Sequence, residues 1–188
     1  MNIGAIVLSG GKSSRFGEDK GLFLFKGKPL IQHSLDIIKN YTSDIQIISA
    51  NKEYEKFGFN VIPDILSEKG PMGGIHSGLK NAKNDINIVL SSDTPFISTE
   101  FIDLLLDNYK NQEALISKTF DGKYQTLIGL YKKSIWPKID KAIMNKHLKL
   151  ISFIKTLDFT SIEIPENSHL EKCFINFNHL SELQKHEH

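Results

Sequence analysis

Three kinds of residue in this 188-residue sequence could together hold a polyphosphate: paired glycines, fixed cations and a carboxylate. The stretch Leu8 to Gly21 reads LSGGKSSRFGEDKG. Gly10 and Gly11 lack a Cβ, so their backbone can approach a ligand closely and aim its N–H groups at anionic oxygens. Arg15 can grip a phosphate with two parallel hydrogen bonds, while Lys20 supplies a mobile point charge. Far along the chain, Asp93 in SSDTPFIS offers the hard oxygen that Mg²⁺ takes beside phosphate oxygens and water. Asp93 lies too far upstream to cap the helix that begins near Thr99, a task that Ser98 or Thr99 can perform. Glycines and bases alone also describe a solvated loop. Two other phosphate loops are excluded by counting. A P-loop ending in Gly11, Lys12 and Ser13 requires glycine where Ile6 stands, and the dinucleotide fingerprint requires glycine where Lys12 stands.

These residues need rigid elements to place them. Ile3 to Leu8 reads as a buried strand ending at the glycines, and Pro29 to about Lys39 as a helix with an inner stripe of Leu30, Ile31, Ser34, Leu35, Ile37 and Ile38. Ile45 to Ser49, a segment near Val61 and Ile62, and Ile86 to Leu90 are further strands separated by helical stretches. Such alternation predicts a parallel sheet with right-handed crossovers, whose ligands collect at the carboxyl ends of the strands. The glycine loop, Ser49, Asn51, Asp64 and Asp93 all occupy such ends. Gly70 to Gly78, GPMGGIHSG, opens a helix with little side-chain bulk, and close approach of a ligand is its expected use. His76 within it reads as a packed or solvated residue.

The second half carries less chemistry. Ala114 to Lys118 and Gln125 to Tyr131 read as strands joined by a turn at Asp121 and Gly122. Lys133 to Met144 and Leu148 to Leu157 read as helices, Thr160 to Ile164 as a strand and Glu166 to Lys172 as polar loop. In Phe174 to Asn178 a strand would send Asn176 and Asn178 to one face. Leu180 and Leu183 suggest a last helix, and His179, His186 and His188 a metal site only adventitiously.

Composition narrows the class. Hydrophobic residues at 40% and charged residues at 24% are those of a globular protein rather than a disordered or membrane one. The apolar start lacks a basic flank and is too short for a signal peptide or membrane span, so a cytoplasmic location is expected. A net charge of +1 without a basic tract gives no reason to expect nucleic acid or membrane binding. Cys173, the single cysteine, reads as a buried structural thiol.

LSGGKSSRFGEDKG resembles the signature LAGGxSxRMGxDK of the nucleotidyltransferases that make molybdenum cofactor dinucleotides, with Ser9 for alanine and Phe16 for methionine. ISAN, the aspartate after VIP, GPMGGI, SSDTPF and FINFN match further segments of that family in order. After FINFN, His179 and Leu180 replace its threonine and proline, and Tyr124, Gln125 and Thr126 stand where members often have histidine and proline.

The branch implied is molybdenum cofactor guanylyltransferase. It implies a Rossmann-like α/β three-layer sandwich with a mostly parallel sheet, in one domain with a nucleotide-binding half to about residue 98 and an acceptor half beyond. The implied substrates are GTP and molybdenum-molybdopterin, the cofactor is Mg²⁺, and the implied protein partners are pathway enzymes or molybdoenzyme chaperones. Asp93 would bind the metal, and Lys20 with Arg15 would act on the phosphates. Leu8, Ser9, Gly10, Gly11, Lys20, Ser49, Asn51, Asp64 and Asp93 would hold the nucleotide, and Asn176 and Asn178 the acceptor. Gly10 stands where the cytidylyltransferases have alanine, which favours guanine. A cytidylyltransferase, a sugar-phosphate nucleotidyltransferase and a non-catalytic GTP-binding module are the alternatives.

Overall fold

A six-residue aliphatic strand with no polar side chain can be satisfied only by cover on both faces, and β1 (Ile3–Leu8) receives it. The structure is a computed structural model and describes residues 2–10 and 19–177. Gly11, Arg15 and Asn178, the proposed histidine cluster and the last helix therefore lie outside the described residues.

In chain order, a hairpin of β2 (Leu24–Phe25) and β3 (Lys28–Pro29) leads into α1 (Leu30–Ile38). Its two turn residues, Lys26 and Gly27, both have positive φ, as a tight two-residue hairpin turn requires. Then come β4 (Ile45–Ile48), β5 (Asn60–Ile62), α2 (Gly70–Asn81), β6 (Ile86–Ser91) and α3 (Thr99–Asp107). The second half supplies β7 (Ala114–Lys118), β8 (Tyr124–Lys132), α4 (Trp136–Met144), α5 (Leu150–Ile154) and β9 (Phe159–Glu163).

Seven strands form one sheet in the order β5-β4-β1-β6-β8-β7-β9. β1 pairs in parallel with β4 and β6, and β5 with β4. β8 runs antiparallel to both its neighbours, β6 and β7, while β9 returns parallel to β7. The mostly parallel α/β sheet expected from the strand and helix alternation is thus the one observed.

Alternation along each strand sorts the core into two layers. Ala5 and Val7 of β1 join Ile31, Leu35, Ile38, Phe101 and Leu105 of α1 and α3 on one face. Ile6, between them, joins Met72, Ile75, Leu79, Ile139 and Ile154 of α2, α4 and α5 on the other. A smaller cluster holds Phe25, Leu30 and Phe177. Cys173 is buried in the first layer, as a structural thiol should be.

Three expectations are corrected. Of the strand expected from Phe174 to Asn178, the described residues, to Phe177, form none: Phe174 ends a 3₁₀ helix, His169–Phe174, where polar loop was expected. Phe177 is instead drawn into the aromatic cluster, 5.0 Å from Phe25 and 5.7 Å from Phe96 between ring centres. The alternation survives only as Phe177 buried and Asn176 exposed. The helix expected over Leu148 to Leu157 is confined to Leu150–Ile154, with Leu148 left at the surface.

The third correction concerns α2, whose glycines serve packing rather than ligand approach. A Cβ on Gly78 would lie 2.5 Å from Ile6 Cγ2, one on Gly74 3.0 Å from Leu8 Cδ2, and one on Gly73 2.9 Å from the Leu66 carbonyl oxygen. The helix can lie on β1 only because side chains are missing at Gly74 and Gly78, while Gly73 makes room for the Leu66 carbonyl before the helix. Gly70 has φ +57° and open space around it, so it serves the backbone turn into α2.

α2 and α4 also meet through His76, which is 1% exposed. Its Nε2 is 3.1 Å from Asp140 Oδ1, and its ring lies 5.8 Å from that of Trp136. Burial pushes the imidazole below its usual range, against the pull of Asp140. The reading of His76 as a packed residue holds.

Two outcomes follow from this packing. Overfilling a core costs about 1–3 kcal/mol, more than the about 1 kcal/mol that alanine gains over glycine in a helix, so Gly78→Ala should lower the urea midpoint. A raised midpoint would show that Ile6 can yield. The neutral His76 stabilises fully above its unfolded value of about 6.5, and that contribution is lost as pH falls below it toward the lowered folded value. The Tm of the wild type should therefore fall more steeply than that of His76→Gln between about pH 7.5 and about pH 5.5. Parallel Tm profiles would remove His76 as the cause.

Candidate active site

The carboxyl ends of β1, β4, β5 and β6 lie side by side because those strands are adjacent and parallel. The backbone ties them beyond the ladder. Ser9 N–H donates to the Ile48 carbonyl at 3.0 Å, Ser92 N–H to that of Leu8 at 2.9 Å, and Ser49 N–H to that of Ile62 at 2.9 Å. Leu8, Ser9, Ser49 and Asp93 are thereby gathered at one edge, as their sequence positions predict.

Lys20 reaches this edge from a 3₁₀ turn, Lys20–Leu22, capped by Asp19, whose Oδ1 accepts from Gly21 N–H. Lys20 Nζ lies 2.7 Å from Asp93 Oδ2. The side chains are 19% and 20% exposed, so the pair is neither fully screened by water nor sealed in the core. Ser91 Oγ donates to the other carboxylate oxygen, Oδ1, at 2.5 Å. The Asp93 main chain is fixed as well, since its carbonyl accepts from Phe177 N–H at 3.3 Å. Asn176 is thus brought next to the Asp93 segment, on the exposed side of Phe177.

Asn51 caps the 3₁₀ helix Lys52–Phe57: its Oδ1 accepts from Glu53 N–H at 3.0 Å. Its Nδ2 donates to Asp19 Oδ2 at 3.1 Å, and its own N–H donates to Ser49 Oγ at 3.2 Å. Ser49 is buried, at 5% exposure, and acts here through Asn51. Asp64, just after β5, is directed toward α2: its Oδ1 lies 3.7 Å from where a Gly74 Cβ would stand. Partial burial raises its carboxyl above the usual range, with the neighbouring His76 opposing. Gly10 is exposed, and among the described residues a Cβ there would meet only the Ile48 carbonyl, at 3.9 Å.

Among the described residues no group of three or more His, Cys, Asp or Glu side chains could hold a metal ion. One carboxylate at a strand end, with cationic Lys20 beside it, fits an ion such as Mg²⁺ that takes most of its ligands from phosphate oxygens and water. An all-protein cage of the kind used by structural zinc has no counterpart in these residues.

Three participants were not singled out from sequence. Ser91 is one of two serines before Asp93, and nothing in SSD tells which one turns toward the carboxylate. Asp19 was read only as a letter of the loop pattern. Tyr54 is the one buried residue in the charged piece Lys52–Phe57, and that contrast was the available signal.

Comparison with known proteins agrees with this arrangement. The family model described as MobA-like NTP transferase domain matches residues 5–158. A protein of Flavobacterium johnsoniae named probable molybdenum cofactor guanylyltransferase is 37% identical, over 94% of this chain and 92% of its own. One of the same name from Aquifex aeolicus is 34% identical, over 95% and 87%. The crystal structure of a putative protein from Aquifex aeolicus VF5 superposes with a TM-score of 0.79 at 32% identity, over 93% of this chain and 92% of that one. With its parallel strand ends, its lysine–aspartate pair and a match that spans most of its length, the chain belongs to the MobA-like NTP transferase domain family.

Proposed function

We propose that this chain transfers GMP from GTP to the terminal phosphate of molybdenum-molybdopterin, forming the guanine dinucleotide cofactor and releasing pyrophosphate, with Mg²⁺ as its metal ion and in the cytoplasm. The observation that carries the reading is the Lys20–Asp93 pair, a cation and a carboxylate brought 2.7 Å apart at the strand ends. The names of the relatives support the choice of nucleotide and acceptor.

The acceptor phosphate is already an anionic nucleophile, so no covalent protein intermediate is needed. One of its oxygens attacks the α-phosphorus of GTP, a new P–O bond forms, and the bond from the α-phosphorus to the oxygen shared with the β-phosphorus breaks. Its electron pair leaves with pyrophosphate. The protein aligns the reactants and offsets charge that develops on the phosphates and leaving group. Lys20 and Arg15 do the latter, and Asp93 would hold Mg²⁺, which when bound neutralises charge on the triphosphate.

Leu8 to Gly11 cradle the nucleotide, and Asn51 and Asp64 meet its base or ribose, with Ser49 fixing Asn51. Asn176 and Asn178 face the acceptor. Residues to about 98 thus form the nucleotide half and the remainder the acceptor half.

Two measurements test the proposal. Lys20→Ala should cut turnover with GTP sharply and weaken GTP binding while hardly changing the affinity for guanosine; an equal loss for guanosine would move Lys20 to the base or to a structural role. Turnover with GTP and CTP, measured side by side on the molybdenum pterin, should favour GTP. Among the described residues nothing stands in the way of a methyl group at Gly10. Gly10→Ala should therefore shift the ratio of kcat/KM values toward CTP by about ten- to two-hundredfold. A wild type that prefers CTP would overturn the guanine assignment, and GTP binding without pyrophosphate release under any acceptor would leave only a binding module.

A further inference from the structure

We infer that Tyr54 is a positioning residue for the nucleotide site: its phenol ties Ser9, at the entry to the segment between β1 and Lys20, to Asp19, at its exit. The inference rests on the transferase reading above. Tyr54 is fully buried on the 3₁₀ helix Lys52–Phe57, beside the end of β4. Its hydroxyl accepts a hydrogen bond from Ser9 Oγ, at the entry to the segment, and donates one to Asp19 Oδ1 at 2.5 Å, at the exit. The second oxygen of Asp19 accepts from Asn51. One buried hydroxyl therefore links Ser9, Asp19 and, through Asp19, Asn51. Three separate stretches of chain meet there, and Asp19 directly precedes Lys20.

A second observation points to the same hydroxyl. Gly21 is buried, and a Cβ there would stand 2.4 Å from Tyr54 Oη and 2.5 Å from Ser9 Oγ. The ring of Tyr54 is held in the core and cannot swing away as a long flexible side chain would, so glycine at position 21 leaves room for the link. Burial and the Asp19 carboxylate both push the phenol above its ordinary range, which keeps it protonated and able to donate to Asp19. Lys20 sits between two residues so fixed, Asp19 and Gly21, and its backbone position follows from theirs. A link of this kind affects how well the site is preformed for a phosphate ligand rather than the chemical step itself.

The test uses the full chain and Tyr54→Phe, which keeps the ring and removes only the hydroxyl. Losing one such bond should raise the Kd for GTP about tenfold. The KM for GTP should rise with it, while kcat and the KM for the molybdenum pterin stay near wild type. Amide hydrogen exchange without nucleotide should speed up across Asp19–Phe23. A Tyr54→Phe chain with a lowered Tm but unchanged GTP affinity would make the phenol a core element only and overturn the inference. Should that variant fold poorly, Asp19→Ala, which removes the oxygen that accepts from Tyr54, is expected to give the same split between the KM for GTP and kcat, and its absence would again overturn the inference. A wild type that binds no GTP removes the transferase reading instead, whereas wild type and variant binding GTP equally remove only the role of Tyr54.

Discussion

A strand buried on both faces and paired on both edges has only its ends left to meet solvent, and β1 is such a strand. Its flanks are taken by β4 and β6 and its faces by α1 and α3 on one side and α2 on the other. Everything chemical is therefore displaced to the carboxyl ends, where parallel neighbours bring Ser9, Ser49 and Asp93 to one edge. The same constraint explains the glycines of α2. A helix laid closely over β1 must give up bulk where it crosses Ile6 and Leu8, and Gly74 and Gly78 are those places.

Electrostatics then finishes what topology begins. Lys20 and Asp93 are separated by most of the first half of the chain, yet the capped turn and the end of β6 bring them into contact. Around them the polar side chains are mutually engaged: Ser91 on Asp93, Asn51 on Asp19, Ser49 on Asn51. Among the described residues this edge is held by backbone ends and short polar links. That suits a ligand whose recognition depends on charge.

The strands were legible because a doubly covered strand writes itself as an unbroken aliphatic run; Ile3–Leu8 and the run from Ile86 agree with the structure almost to the residue. Asp93 was legible for a related reason, since a carboxylate following such a run and preceding Pro95 has a strand end as its natural place. FINFN misled because alternation records burial, not hydrogen bonding: Phe177 is inward and Asn176 outward without any strand partner. The glycines of α2 were ambiguous in principle. Nothing in GPMGGIHSG distinguishes a helix that yields to a ligand from one that yields to Ile6. The tie from Tyr54 to Ser9 and Asp19 depends on three segments meeting, which no local pattern records.

The place of β8 in the sheet bears on how the chain comes together as it is synthesised. β8 covers the outer edge of β6, yet it leaves the ribosome only after α3 and β7 have been made. For that interval the parallel strands β4, β1 and β6 can assemble with the helices already made, while the backbone groups on one side of β6 wait without a partner. An uncovered, apolar strand edge is a template for pairing with another chain, and contacts between distant segments are the slow ones to form. The strands whose ends gather the residues proposed to bind phosphate are thus also those most exposed to misassembly until the later strands arrive.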